Sequence, residues 1–288
     1  MKVNFFLRNK DVYTSRRLLE EAKKLGFNIN VYDPLKVSIF GKDLFYDGQR
    51  IDDCDLAFLR GSVEAQPREQ IVSVAHFYET KGVRTLNNSS SILLSANKWA
   101  CRTELSRAGI AVPQAVIVSS REELEYAVDF LGGFPIVLKF FYGCSGVGVV
   151  YVPEMYTFLS LYDAYKVSGF SFYIEEFLTC AINEVRRFIV AGGEVIADFI
   201  MRPSKNDFRS NFARDGMGVL DDGKEDFKQI AVNSVNVCGL VYASVDMVLK
   251  NDLPFVLEVN SSPGIEMAES LIQKNLASAI LINSTSTR

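Results

Sequence analysis

The chain has 288 residues, 48% of them hydrophobic and 23% charged, enough apolar material for two or three packed lobes and too much for a disordered polymer. A net charge of -4 gives no basic footprint for a polynucleotide, and no apolar run approaches the ~20 residues that span a bilayer. Neither nucleic acid nor membrane is therefore expected as a partner. The apolar run in MKVNFFLRNK is too short for a secretory signal, and the five cysteines are odd in number, scattered and without a C-x-x-C pair. These features predict a cytoplasmic protein with reduced thiols. The single histidine, His76, excludes a two-histidine zinc site, leaves little room for a Ser-His or Cys-His nucleophile, and reads as a structural helix residue.

In chain order, KVNFFL comes first, followed by a helix carrying Leu18, Leu19, Ala22 and Leu25 that Gly26 stops. With NINVYDP and DLAFLR they predict a small β-α-β layer. A helix over 64–81 and a strand RTLN follow, and the Asn/Ser cluster at 87–91 marks the end of the first domain. From Ala96 a helix carries Lys98, Trp99, Cys101 and Leu105 to Gly109. QAVIVS reads as a strand. Ser120 with Glu123 forms a capping box ahead of a helix whose Leu124, Ala127, Val128 and Leu131 share one face. PIVLKF and GVVYV flank a glycine-rich turn as a hairpin, and a helix and a strand complete this lobe near Glu176. NEVRRFIVA, EVIADFI, VYASVDMVLK and PFVLEVN predict a mostly antiparallel sheet, with a helix carrying Phe227, Ile230, Ala231 and Cys238.

Four features point to chemistry. Gly143, Gly146 and Gly148 permit close approach of backbone N–H groups to phosphate, although the spacing matches neither the P-loop nor the dinucleotide fingerprint. Lys139 stands near the end of an apolar strand, where a buried ammonium needs an anion, and Lys98 opposes the dipole at a helix start. Asp246, Glu258 and Asn260 interrupt hydrophobic strands. Glu258 and Asn260 share a sheet face, which Asp246 joins if the hairpin pairs it opposite either one. Two carboxylates and an amide oxygen suit Mg2+ or Mn2+. Arg186, Arg187, Arg202 and Arg209 add forks able to clamp phosphate and acyl groups.

The stretches VLKFFYGCSGVGVV, YIEEFL, EVRRFIVAGGEVIADFIMRPSKNDFRSNFARDG and VDMVLKNDLPFVLEVNSSPGIE resemble, in order and spacing, the RimK-type branch of the ATP-grasp ligases. The resemblance implies an α/β protein with α+β lobes: a Rossmann-like pre-ATP-grasp domain over 1–88, a small central lobe with the glycine loop over 89–175, and a metal-binding lobe over 176–288. It implies that Lys98, Lys139 and the loop, with Gly143, Ser145 and Gly146, hold ATP phosphates. Glu176 and Phe177 would hold adenine and Glu184 the ribose, while Arg209, Ser210 and Asn211 would contact nucleotide. Asp246, Glu258 and Asn260 would hold two divalent ions. Cys144 and Ser145 depart from the family's usual loop, and Glu184 replaces a common aspartate; Cys144 reads as a neutral filler rather than a redox sensor.

The expected activity is ATP-dependent ligation of a carboxylate to an amine through an acyl phosphate, with Arg186 and Arg209 as candidates for stabilising developing charge. The resemblance implies an amino acid such as glutamate as donor and a protein, peptide or small molecule as acceptor, a ribosomal-protein tail being one case. A D-alanine-type dipeptide ligase and a catalytically silent nucleotide-binding regulator stay open as alternatives, as does a homo-oligomer. A Rossmann-type oxidoreductase has only the N-terminal β-α-β pattern in its favour.

Overall fold

The computed structural model describes residues 1–61, 68–143, 146–182, 184–203, 217–221 and 223–286. The N-terminal part contains β1 (Lys2–Leu7), α1 (Tyr13–Lys24) and β2 (Asn28–Tyr32), a meander of β3 (Val37–Phe40), β4 (Asp43–Tyr46) and β5 (Gln49–Arg50), then β6 (Leu56–Arg60), α2 (Arg68–Thr80) and β7 (Arg84–Leu86). Strands β2-β1-β6-β7 form a parallel sheet. Parallel strands are covered on both faces, and β1 accordingly buries Val3, Phe5, Phe6 and Leu7 without alternation. Sequence reasoning missed the meander. Its signals were the turns at Gly41 and at Asp47-Gly48, all three residues with positive φ.

The Asn/Ser cluster at 87–91 leads into a helix that begins at Ser89. Asn88 caps α3 (Ser89–Ala96), its Oδ1 accepting from Ser91 N at 2.8 Å, and Asn97 caps α4 (Lys98–Arg107) through Ala100 N at 3.0 Å. Lys98 is thus the first residue of its helix, and Ala96 ends the preceding one. The central lobe follows with β8 (Ala115–Val116), α5 (Leu124–Phe130), β9 (Ile136–Phe140), β10 (Val149–Val152), α6 (Met155–Ser168) and β11 (Phe172–Glu176). The expected QAVIVS strand shrinks to two residues. The capping contact belongs to Ser119, whose N and Oγ reach Glu123, while the Ser120 side chain caps nothing. Strands β10-β9-β11-β8 pair antiparallel. Ile136, Leu138 and Ile174 pack under α5 and α6, so by alternation Val137, Lys139 and Glu175 face the other way.

The C-terminal sheet has the order β14-β13-β12-β15-β16, all antiparallel, from β12 (Val185–Ala191), β13 (Glu194–Arg202), β14 (Met217–Val219), β15 (Tyr242–Lys250) and β16 (Leu253–Asn260). Between β14 and β15, α7 (Glu225–Val237) covers one face, packing with Cys101 and Leu105 of α4 on Phe188, Val245 and Met247. Helices α8 (Glu266–Ile272) and α9 (Leu276–Ser286) cover the other. There Ile189, Ala191 and Tyr242 share one core with Phe5, Leu18 and Phe58 of the N-terminal sheet. The cleft opens where the central lobe faces this second side.

Candidate functional site

The register of the last hairpin assembles the acidic group. Asp246 pairs directly with Glu258 and Ser244 with Asn260, and the bulge between Asp246 and Met247 leaves all three oxygen-bearing side chains on one face. Arg187 of β12 lies opposite Asp246 and grips it in bidentate fashion, Nε–Oδ1 2.7 Å and Nη2–Oδ2 2.6 Å. Lys98 approaches from α4, its Nζ 3.1 Å from Glu258 Oε2. Its backbone N donates to Phe141 O at 2.8 Å, which ties the helix start to the glycine turn.

Lys139 pairs with Glu175 on the cleft-facing side of the central sheet, and both side chains are nearly buried. The turn beyond Lys139 is tight. A Cβ on Gly143 would lie 2.4 Å from Val147 O, and one on Gly148, whose φ is +76°, would strike the Phe140 ring. Lys98, Lys139, Glu175, Glu176, Asp246 and Glu258 are the charged lining of a cleft that opens to solvent; Val137, Val149, Phe177 and Leu257 line its apolar part. Burial works to raise the Glu258 carboxyl, but Lys98, Lys139 and Arg187 more than offset it, and the group is held below the usual carboxylate range.

The donor set decides what fits. Among the described residues no cluster of three or more His, Cys, Asp or Glu side chains is arranged to hold a metal. Asp246, Glu258 and the amide of Asn260 are hard oxygen donors too few for a closed cage, which suits Mg2+, an ion that keeps places for water and phosphate oxygens. The ammonium groups of Lys98 and Lys139 at the same end suit the phosphates, and the apolar part suits a base.

Other expected site residues lie elsewhere. Gly146, Glu176 and Phe177 line the cleft, but the Glu176 carboxylate is taken by Gln114 N at 2.9 Å and Lys250 Nζ at 2.6 Å. Glu184 is exposed, 3.8 Å from Arg202, and is not part of the cleft wall. Arg186 pairs with Met247 and so occupies the opposite sheet face from Asp246. There it binds Asp198, 3.0 Å away, and Asp221. The arginine on the acidic face is its neighbour Arg187, so the expectation that Arg186 attends the reacting phosphate is not met by this geometry. Ser145, Arg209, Ser210 and Asn211, as well as Cys144, lie outside the described residues. Sequence reasoning also passed over Glu175, because the parity of β11 against Lys139 emerges only from strand pairing.

Comparison with known proteins agrees with this architecture. The model of the RimK PreATP-grasp domain matches residues 1–92 and that of the RimK-like ATP-grasp domain residues 95–283. A probable alpha-L-glutamate ligase of Hydrogenovibrio crunogenus is 31% identical over 285 residues, 98% of this chain and 94% of the relative. The crystal structure of a RimK domain ATP-grasp protein from Sphaerobacter thermophilus superposes with a TM-score of 0.74 at 18% identity, covering 99% of this chain and 100% of that one. A D-alanine–D-alanine ligase from Bacillus anthracis, complexed with ATP, gives 0.71 at 20% identity over 100% of this chain and 97% of its own.

Proposed function

Because the chain belongs to the RimK-like ATP-grasp family, whose members are ATP-dependent ligases, we propose that it joins an amino acid such as L-glutamate to a protein or peptide acceptor through an acyl phosphate. The observation that carries this reading is the juxtaposition of the paired Asp246 and Glu258 with Lys98 and Lys139 in a cleft that also has an apolar wall of Val137, Val149, Phe177 and Leu257. The name of the relative at 31% identity supports glutamate as the amino acid.

Asp246, Glu258 and Asn260 would hold Mg2+ or Mn2+, as two ions, and the bound metal supplies neutralisation of phosphate charge. Lys98 and Lys139 leave their carboxylate partners for the phosphate oxygens of ATP. Val137, Val149 and Phe177 bury the base. Arg187 fixes the Asp246 carboxylate, whose oxygens retain lone pairs for other ligands. The substrate carboxylate attacks the γ-phosphorus and ADP departs; the amine then attacks the acyl carbon, an amide bond forms, and phosphate leaves with the transferred oxygen. No protein nucleophile is needed, so the protein contributes position and charge.

The test is incubation with Mg-ATP, a panel of amino acids and candidate peptide acceptors, with nucleotide analysis and mass spectrometry of products. The reading predicts ADP, phosphate and a peptide extended by one or more residues. AMP and pyrophosphate, or ATP turnover unaffected by Glu258→Gln, contradict it.

A further inference from the structure

Ser244 stands two residues before Asp246 on β15 and therefore on the same sheet face as the acidic pair. It is fully buried, and its Oγ makes no hydrogen bond to any described residue. The neighbours around it on that face are few. Along the strand, Tyr242 donates its hydroxyl to Pro263 O at 2.9 Å, and both carboxylate oxygens of Asp246 are gripped by Arg187. Across on β12 stands the apolar Ile189, and across on β16 stands Asn260. A buried hydroxyl without a partner is costly to keep, and Asn260 is the one neighbour of these four with polar capacity to spare.

The Asn260 amide carries an acceptor oxygen at one end and two N–H donors at the other, and no hydrogen bond ties its side chain to any described residue. Ser244 and Asn260 are a direct cross-strand pair, which places their Cβ atoms roughly 4.5–5.5 Å apart, within reach of a hydroxyl and an amide. Rotation about the last torsion of an asparagine is broad, so either end of the amide can turn to the hydroxyl. A carboxylate presents an oxygen to a cation whichever way it turns. An amide does so in only one of its two orientations, and its N–H donors then need an acceptor on the far side.

We propose that Ser244 is a positioning residue for Asn260: its Oγ accepts a hydrogen bond from Asn260 Nδ2 and so holds Oδ1 towards the side where Asp246 and Glu258 bind the divalent ion. The inference rests on the metal-dependent ligase reading above. Ser244 touches neither ion nor nucleotide and acts only through the amide. Groups that orient a metal ligand in this way set metal affinity almost as strongly as the ligands themselves. The role also accounts for a hydroxyl kept without a partner beneath the acidic face, because its partner turns to it when the ion binds.

The test uses the full chain with Mn2+ as probe in the presence of ADP, free Mn2+ being measured by electron paramagnetic resonance, and urea unfolding of the same proteins without metal. Ser244→Ala removes the hydroxyl alone and is expected to raise the Mn2+ Kd by about tenfold or more. Its metal-free unfolding midpoint should not fall, since the hydroxyl has no partner to lose in that state. Asn260→Asp replaces the amide by a group that needs no orienting, so adding Ser244→Ala to it should change the Kd by less than about twofold. Wild-type affinity in Ser244→Ala, an equal loss in both backgrounds, or a metal-free midpoint that falls overturns the positioning role and leaves the ligase reading standing. A wild type that binds no Mn2+ with ADP overturns the metal assignment and the inference with it.

Discussion

Arg186 and Arg187 are adjacent in sequence and opposite in fate. Arg187 faces Asp246 across β15 and binds it with two short hydrogen bonds, whereas Arg186 turns to Asp198 beneath the start of α7. Their truncations should therefore fail differently. Arg187→Met is expected to cut kcat/KM by about a hundredfold, because the Asp246 carboxylate loses the group that aims it. Arg186→Met is expected to keep most of the activity but lose about 3 kcal/mol of stability, since Asp198 is left buried and without its cation. Steady-state kinetics paired with urea unfolding separates the two outcomes. Equal kinetic losses in both variants would contradict the assignment of faces.

Pairing between strands decides what was legible in the sequence. Glu258 and Asn260 are two apart on one strand, so their common face follows from alternation alone, and an even register was enough to bring Asp246 to it. The choice between Arg186 and Arg187 needed the β12–β15 register, which joins residues about sixty positions apart and leaves no local mark. The turn after Lys139 was readable from its glycines. Helix α3 was not, because serines and asparagines favour caps and loops, and here Asn88 acts as the cap of a helix built on Ser89, Ser91 and Ile92.

Helix junctions carry a second kind of buried charge. Glu269 of α8 accepts from Tyr13 Oη at 2.8 Å, Arg17 Nε at 3.0 Å and Ala277 N at 3.1 Å, which joins α1, α8 and α9 through one carboxylate. Burial would raise its pKa, but the Arg17, Ala277 and Tyr13 donors outweigh burial and lower it. A depressed folded pKa means that the unfolded chain binds the proton first as acid is added. The stabilisation is thus full above the ordinary glutamate value of about 4.3 and is lost as pH falls through the folded value. Glu269→Gln should be about 1–3 kcal/mol less stable at pH 7, and the gap to wild type should narrow as the pH drops below that range. Thermal unfolding across a pH series checks this; a gap that widens in acid would contradict it.

The three larger sheets are bound into one machine by few but specific contacts. Asn87, at the end of β7, donates to Tyr242 O and Ser261 O and accepts from Val241 N and Tyr242 N, so one buried amide brackets the strand and the turn at either end of the acidic hairpin. Thr14 and Arg60 hold the same turn from the N-terminal side. The central lobe meets this assembly at the cleft, where Lys98 and Lys139 converge with Glu258. Such a frame fixes the acidic face rigidly against the N-terminal sheet.

The account's central claim is that this arrangement transfers a phosphoryl group to a carboxylate oxygen before the amide forms. The most direct measurement uses the carboxylate substrate identified in the amino-acid and peptide panel, labelled with oxygen-18 on the reacting group, and follows the label by mass spectrometry of the products. The account predicts ADP and inorganic phosphate that carries a single labelled oxygen. Label appearing in AMP, or phosphate released without label while the amide bond forms, would contradict it.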